Sequence, residues 1–122
     1  MEVIVPPHVD GAMNGIEGLF SFMHYSVEGG GPNDSVRRSN LSKIFKAEFK
    51  VQPDASNAGY VAEFGKPESR TRFEKMERFL DSNLTKFANK TSNAWLNCLE
   101  KWGSDYDWLI EQFGEQFGYV LG

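Results

Sequence analysis

Residues 66–102 read KPESRTRFEKMERFLDSNLTKFANKTSNAWLNCLEKW and form the longest periodic stretch of the chain. Side chains that can line an apolar face recur there at steps of three or four residues, the repeat of one face of an α-helix. These positions are Phe73, Met76, Leu80, Leu84, Phe87, Thr91, Trp95, Cys98 and Trp102. Such a stripe on an amphipathic helix ordinarily faces the core of a domain. The second half of the chain is therefore predicted to be helical.

A break is expected within this stretch. An unbroken helix would be roughly 50 Å long, whereas a compact domain of this size has a radius of gyration of about 14 Å. The best place for the break is Asn89 to Asn93, where Asn89 can end one helix. Thr91 or Ser92 can cap the next helix, which is expected to run to Trp102.

The helical part is predicted to span residues 66–122. Proline is favoured in the first turn of a helix, so Pro67 is expected near its start. Gly103 predicts the end of the second helix, and Ser104 with Asp107 three residues later predicts the start of a last one. The C-terminal part should therefore hold two or three helices.

Three segments of the first half are predicted to form β-strands. Residues 18–27, GLFSFMHYSV, are aromatic and β-branched and lie between glycine clusters. Residues 41–52, LSKIFKAEFKVQ, alternate apolar and charged side chains, and residues 60–64, YVAEF, repeat that pattern briefly. Loops without an intervening helix connect these segments, so an antiparallel meander over residues 18–65 is expected. A short helix is the competing interpretation of residues 18–27.

The remaining segments complete the predicted architecture. Residues 1–17 are expected to form an extended N-terminal arm, because Pro6 and Pro7 end any short strand at Val3 to Val5. EGGGPNDSVRRSN, residues 28–40, is typical of a long loop. The sequence thus predicts a single α+β domain, with a three-stranded antiparallel sheet in the first half packed by two or three C-terminal α-helices.

Composition indicates a globular protein that needs no metal or disulfide for its core. Of the 122 residues, 40% are hydrophobic and 14% aromatic, which supplies large side chains for packing. Cys98 is the single cysteine, and its place on the apolar stripe favours a small buried side chain in a reducing compartment. Neither a secretory signal nor a membrane-spanning run is recognised, so the sequence predicts a cytoplasmic protein without membrane association.

The charge is unevenly distributed. Residues 1–33 hold four acidic residues and no Lys or Arg, while residues 34–90 hold twelve of the thirteen Lys and Arg of the chain. The middle block therefore carries a net charge of +4 in a chain whose total is −4. This block is either a surface for an acidic partner or ordinary solvated charge.

Signatures of catalysis or of a bound cofactor are lacking in the sequence. His8, His24 and Cys98 do not stand at metal-ligand spacing, and nothing local marks them as activated groups. Asp105 and Asp107 are typical of a helix start rather than of a catalytic carboxylate pair. Catalytic residues, metal ligands and cofactors are therefore all predicted to be absent, and the residues match no family that we recognise.

The leading functional prediction is a non-enzymatic interaction module, such as an adaptor, inhibitor or accessory factor that docks on a partner protein. Many aromatic residues in a small domain suit a binding surface as well as a core. Arg37 and Arg38 lie in the predicted loop, where they would hold carboxylates or phosphates of the partner. The size and acidic composition also fit an accessory protein of phage or viral type.

Nucleic-acid binding is the first alternative, and a small enzyme of unknown class is the second. On the predicted sheet, Phe20 and Phe22 would lie near Lys46 and Lys50 on one open face. Aromatic side chains there would stack on bases, and the lysines would neutralise phosphates.

A homodimer is the alternative to a monomer. Gly114 and Gly118 weaken the predicted last helix unless something approaches them closely. Either another helix of the same chain packs there, or Phe113 and Phe117 form an apolar patch that meets a second copy.

Overall fold

A computed structural model of the protein describes residues 1–6 and 16–121, and of residues 16 and 17 it describes the backbone alone. This part of the chain contains two short strands and five α-helices, and the last helix continues into two irregular helical turns. The elements are β1 (Glu2–Ile4), α1 (Ile16–Phe22), α2 (Asp34–Lys46), β2 (Glu48–Lys50), α3 (Ala58–Ala62), α4 (Arg70–Lys86), α5 (Asn93–Leu109), a π-helical turn (Ile110–Gly114) and a 3₁₀ turn (Glu115–Phe117). Part of the predicted arm, residues 7–15, lies outside the described residues, and its short strand is found as β1.

The predicted three-stranded antiparallel sheet is wrong. The sheet in the described residues has only two strands, and they run parallel, with Glu2 opposite Glu48 and Ile4 opposite Lys50. Parallel strands need a long crossover connection, and the segment that contains α1 and α2 supplies it. The fold is therefore mostly helical, with a very small sheet, rather than a meander packed by helices.

Residues 18–27, the first predicted strand, form most of α1 and an irregular segment after it. The competing interpretation of a short helix is the one confirmed, over Ile16–Phe22. Beyond the helix His24 adopts a left-handed φ of 64°, a conformation that histidine accepts more readily than most residues. Phe20 is buried and stacks on Phe79 of α4 with 4.0 Å between ring centroids. Short apolar runs fit a buried helix as well as a strand.

The predicted loop, residues 28–40, and the second predicted strand, residues 41–52, are both largely replaced by α2. Asn33 caps this helix by accepting a hydrogen bond from the Val36 N–H at 3.0 Å. Asparagine is common both at helix N-caps and in loops, and the prediction placed Asn33 in a loop. The buried side chains of α2 are Arg37, Leu41, Ile44 and Phe45. Their spacing is helical, and the alternation survives only in β2, where Phe49 is half-buried between two exposed residues.

The third predicted strand, residues 60–64, is α3 and the turn that follows it. A strand would place Ala62 and Phe64 on one face, but Val61 and Phe64 are buried while Ala62 is exposed. The rings of Tyr60 and Phe64 contact edge to face at a centroid distance of 5.7 Å, as residues four apart on a helical segment do. Five residues are too few for periodicity to separate the two structures.

The predicted break in the long helical stretch is confirmed. α4 ends at Lys86 and α5 begins at Asn93, after a cap in which the Ser92 hydroxyl accepts a hydrogen bond from the Trp95 N–H. The start was predicted too early, because α4 begins at Arg70, beyond Pro67.

The predicted stop at Gly103 and restart at Ser104 are wrong, since α5 continues through both to Leu109. A glycine inside a helix costs about 1 kcal/mol relative to alanine. Contacts of the following turn with α2 offset that cost, because the Ser104 hydroxyl and the Asp105 carboxylate both bind arginines of α2.

The hydrophobic core contains side chains from most of the described chain, from Val5 just after β1 to Ile110 in the π-helical turn. On α4 the stripe is core as predicted, with Phe73, Met76 and Leu80 fully buried and Leu84 half-buried. On α5 the stripe is only half-buried at Trp95, Cys98 and Trp102. The core lies between α4, α2 and α1, and the aromatic side of α5 is left partly open.

Arg72 of α4 ties three segments together. Its buried guanidinium donates to the carbonyls of Phe64 and Gly65 after α3, at 3.1 and 2.9 Å. It also donates to the carbonyls of Ile44 and Ala47 at the end of α2, at 2.7 and 2.8 Å. Carbonyls at a helix C-terminus lack partners within the helix and carry partial negative charge. Burial lowers the pKa of Arg72 to about 10, which leaves it charged at neutral pH.

The C-terminal aromatics and glycines pack within the chain, which removes the premise of the predicted dimer. Phe113 stacks on Phe45 of α2 with 4.3 Å between ring centroids, and Phe117 contacts Phe73 at 5.3 Å. At Gly114 an added Cβ would lie 3.0 Å from the Cβ of Tyr119. The close approach at Gly114 is therefore made by a turn of the same chain rather than by another helix, and the homodimer stays a prediction.

The backbone conformation at position 118 favours glycine. Its φ of 84° is left-handed, and it ends the 3₁₀ turn in open space. Gly118→Ala is therefore expected to lower the free energy of unfolding by about 1–2 kcal/mol from backbone strain alone. Urea denaturation tests this beside Gly59→Ala, which also meets no atom within 4 Å and should be neutral or stabilising in α3. Equal effects of the two substitutions would contradict the assignment.

Candidate partner-binding groove

The two arginines predicted to contact a partner bind α5 instead. Arg37 lies on α2, only 1% exposed, and its Nε donates to the Asp105 carboxylate at 2.8 Å. It also pairs with Asp34 at the start of its own helix. Arg38 is half-buried and donates to the Ser104 hydroxyl at 2.6 Å. Their placement on a flexible, exposed loop was therefore wrong, and Arg37 is not accessible to a partner in this structure.

The predicted aromatic and basic sheet face is not formed. Phe20 is buried in α1, and Phe22, half-buried, ends the same helix. Lys46 lies over the ring of Phe113, and Lys50 of β2 pairs with Glu48 at 2.8 Å. These four residues belong to three separate elements, because the strands that would have aligned them are helices.

An open groove of about 290 Å³ lies between α4, the start of α5 and the segment after α1. Its aromatic lining comprises Tyr25, Phe79, Phe87, Trp95 and Trp102. Phe87, just after α4, stacks on both indoles of α5, with centroid distances of 4.5 Å to Trp95 and 5.7 Å to Trp102. The three stacked rings are half-buried. Tryptophan and tyrosine in such a setting are the side chains that most often dominate binding energy at interfaces.

Asn83 is a polar residue in the mainly aromatic lining of this groove. It lies on the buried face of α4, four residues after Phe79, and is only 7% exposed. No hydrogen bond joins its side-chain amide to any other described residue, although its backbone carbonyl accepts the Phe87 N–H at 3.1 Å. Neither amide atom of Asn83 is among the fully buried polar atoms that lack a partner, so the amide is open to the groove. The groove therefore presents both an unused donor and an unused acceptor.

A buried polar network fixes the far wall of the groove. The Tyr25 hydroxyl donates to the Asp105 carboxylate at 2.7 Å, and Arg37 donates to the same oxygen. Two residues later the Val27 carbonyl accepts from Lys101 Nζ at 3.3 Å. The segment that carries Tyr25 and Val27 is thus held against α5, which keeps the groove formed without a ligand.

Tyr25 gives this network a pH dependence. Burial, and then the charge of Asp105, raises the pKa of Tyr25 far above its ordinary value of about 10. The stability from the protonated hydroxyl is therefore complete below about pH 10 and is lost as the pH rises further, because only the unfolded chain ionises readily. Tyr25→Phe should cost about 1 kcal/mol at neutral pH, and this deficit should largely vanish near pH 11. Urea denaturation at both pH values checks this, and a constant deficit would contradict it.

The chain has no match among protein-family models, curated proteins or solved structures. Its function must therefore be inferred from its own residues. Within the described part of the chain, no helix is long and apolar enough to cross a membrane. The same residues include no group of three or more His, Cys, Asp or Glu side chains that could hold a metal ion.

Sequence reasoning did not identify this groove. Trp95 and Trp102 were assigned to the core as part of the helical stripe, because they are seven positions apart and therefore lie on one face of α5. One signal was available: Asn83 falls among Met76, Phe79 and Leu80 on the apolar face of α4, where a polar residue breaks the pattern. Its lack of a partner is visible only in three dimensions.

Proposed function

We propose that the protein is a non-enzymatic interaction module that holds an extended peptide segment of a partner protein in the aromatic groove. The observation that carries the proposal is the amide of Asn83, which is open to the aromatic groove and makes no hydrogen bond to another described residue. A peptide backbone offers an N–H and a C=O on each residue, and a side-chain amide can bind both at once. The hydrogen bonds missing in the free protein would then form in the complex.

The aromatic lining supports the same assignment. Stacked, half-buried rings provide apolar surface for partner side chains at a low cost in conformational entropy. The groove is preformed, because the Tyr25 and Asp105 network holds one wall and the Phe87 stack holds the other. A preformed site loses less free energy to ordering when its ligand binds.

Affinity selection from a random peptide library displayed on phage tests the proposal with the full chain as target. Selected peptides are expected to bind Asn83→Leu at least about tenfold more weakly than the wild type, since two hydrogen bonds of about 1 kcal/mol each are lost. Asn89→Leu, a change at an exposed asparagine between the helices, is the matched control and should bind normally. Failure to select any peptide, or equal affinity for Asn83→Leu, would contradict the proposal.

A further inference from the structure

We infer that the occupant of this groove is an acidic peptide, whose carboxylates lie over Lys86 and Lys90. This inference rests on the proposed function and names the chemistry of the partner. Lys86 is the last residue of α4 and Lys90 lies in the connection to α5, beside the rings that form the groove's end. Lys86 Nζ lies 5.2 Å from the centroid of Phe87, and Lys90 Nζ lies 5.7 Å from that of Trp95.

The charge of this end is not balanced within the described residues. The ion pairs among the described residues involve Arg37, Arg38, Lys50 and Lys75, and none of them includes Lys86 or Lys90. Both lysines are exposed at the surface of the chain. Two neighbouring cations without carboxylate partners attract an anionic ligand and fix its direction.

Glu28 places a negative charge in the groove lining, so the two ends of the groove differ in charge. It follows Val27, whose carbonyl accepts from Cys98 and Lys101 of α5, whereas Lys86 and Lys90 lie over Phe87 and Trp95. A carboxylate of the ligand would be repelled at this end and attracted at the other. The acidic residues of the peptide are therefore assigned to the end formed by the α4–α5 connection.

The stacked rings favour a peptide over a nucleic acid. A nucleobase binds by stacking on an uncovered ring face, but Phe87 stacks on both indoles, and Lys90 already lies over Trp95. The surface of these rings that remains open suits aliphatic and aromatic side chains.

Three probes distinguish the possibilities when they are titrated into the full chain at low salt, with tryptophan fluorescence as the readout. They are the synthetic peptide Glu-Glu-Ala-Leu-Phe-Ala, its twin Lys-Lys-Ala-Leu-Phe-Ala and single-stranded oligothymidylate. The acidic peptide is expected to bind about tenfold more tightly than the basic one, since two charge pairs at a rim contribute up to about 1 kcal/mol each. The double variant Lys86→Glu with Lys90→Glu should reverse that order.

Lys43→Glu with Lys66→Glu is the matched control, because it changes the net charge equally at two exposed lysines elsewhere. It should leave the acidic peptide preferred. An unchanged order in the Lys86 and Lys90 variant would overturn this inference, as would tighter binding of oligothymidylate or no saturable response up to millimolar peptide. These results leave the proposed function to be judged separately, by the library selection and its dependence on Asn83.

Discussion

Arg72→Met is expected to lower the free energy of unfolding by about 4 kcal/mol, because several buried carbonyls lose the charged donor that they share and each group left unpaired costs about 1–3 kcal/mol. The guanidinium makes five hydrogen bonds to main-chain carbonyls at the ends of α2 and α3. No described carboxylate pairs with it. Urea denaturation followed by circular dichroism measures the effect.

Arg78→Met on the same helix is the control, since Arg78 is exposed and its loss should change stability by less than about 0.5 kcal/mol. Arg72→Lys separates charge from geometry. A lysine keeps the positive charge but lacks the planar fork that reaches carbonyls on two sides, so most of the loss should remain. A change of less than about 1 kcal/mol in Arg72→Met would mean that the carbonyls find other partners.

Asp105→Ala is expected to cost about 3–5 kcal/mol, because it leaves the buried charge of Arg37 without its buried partner and with the exposed Asp34 instead. Asp105 is fully buried and accepts hydrogen bonds from both Tyr25 and Arg37. Asp107→Ala, two residues further along α5, removes an exposed carboxylate and should have little effect. Thermal and urea unfolding of the two variants provide the comparison.

The double variant Asp105→Leu with Arg37→Met tests whether the loss comes from the unpaired charge. When a buried ion pair is replaced by apolar side chains of similar volume, stability is often retained. The double variant should therefore be more stable than Asp105→Ala alone. If Asp105→Ala proves as mild as Asp107→Ala, the network does not hold α2, α5 and the Tyr25 segment together.

The helical half of the fold was accessible from sequence because its periodic pattern is long. Over residues 66–102 the stripe and the caps agree, and the break before Asn93 followed from the length of the stretch, from Asn89 as a helix end and from Thr91 or Ser92 as a cap. The first half was not accessible, because its apolar runs are short. Asn33 was read as a turn residue, so α2 and the burial of Arg37 were missed together.

The groove could not be predicted from the sequence for a different reason. Sequence distinguishes an apolar position from a polar one, but not a ring that is fully buried from one that lines a groove. The partial exposure of Trp95 and Trp102 depends on the loop after α1, which approaches α5 through Tyr25 and Asp105, eighty residues apart in the chain. Asp105 itself was interpreted as a helix-start residue, although it lies inside α5.

The proposed function requires that the Asn83 amide serves binding and not folding. The free energy of unfolding of Asn83→Leu, measured by urea denaturation beside Asn89→Leu, tests this most directly and needs no partner. The predicted result is a stability equal to the wild type or higher by up to about 1 kcal/mol, because leucine removes an unpartnered amide from an apolar wall. A loss of about 1–3 kcal/mol would contradict the account, since it would show that the amide is hydrogen-bonded in the free protein and supports the fold.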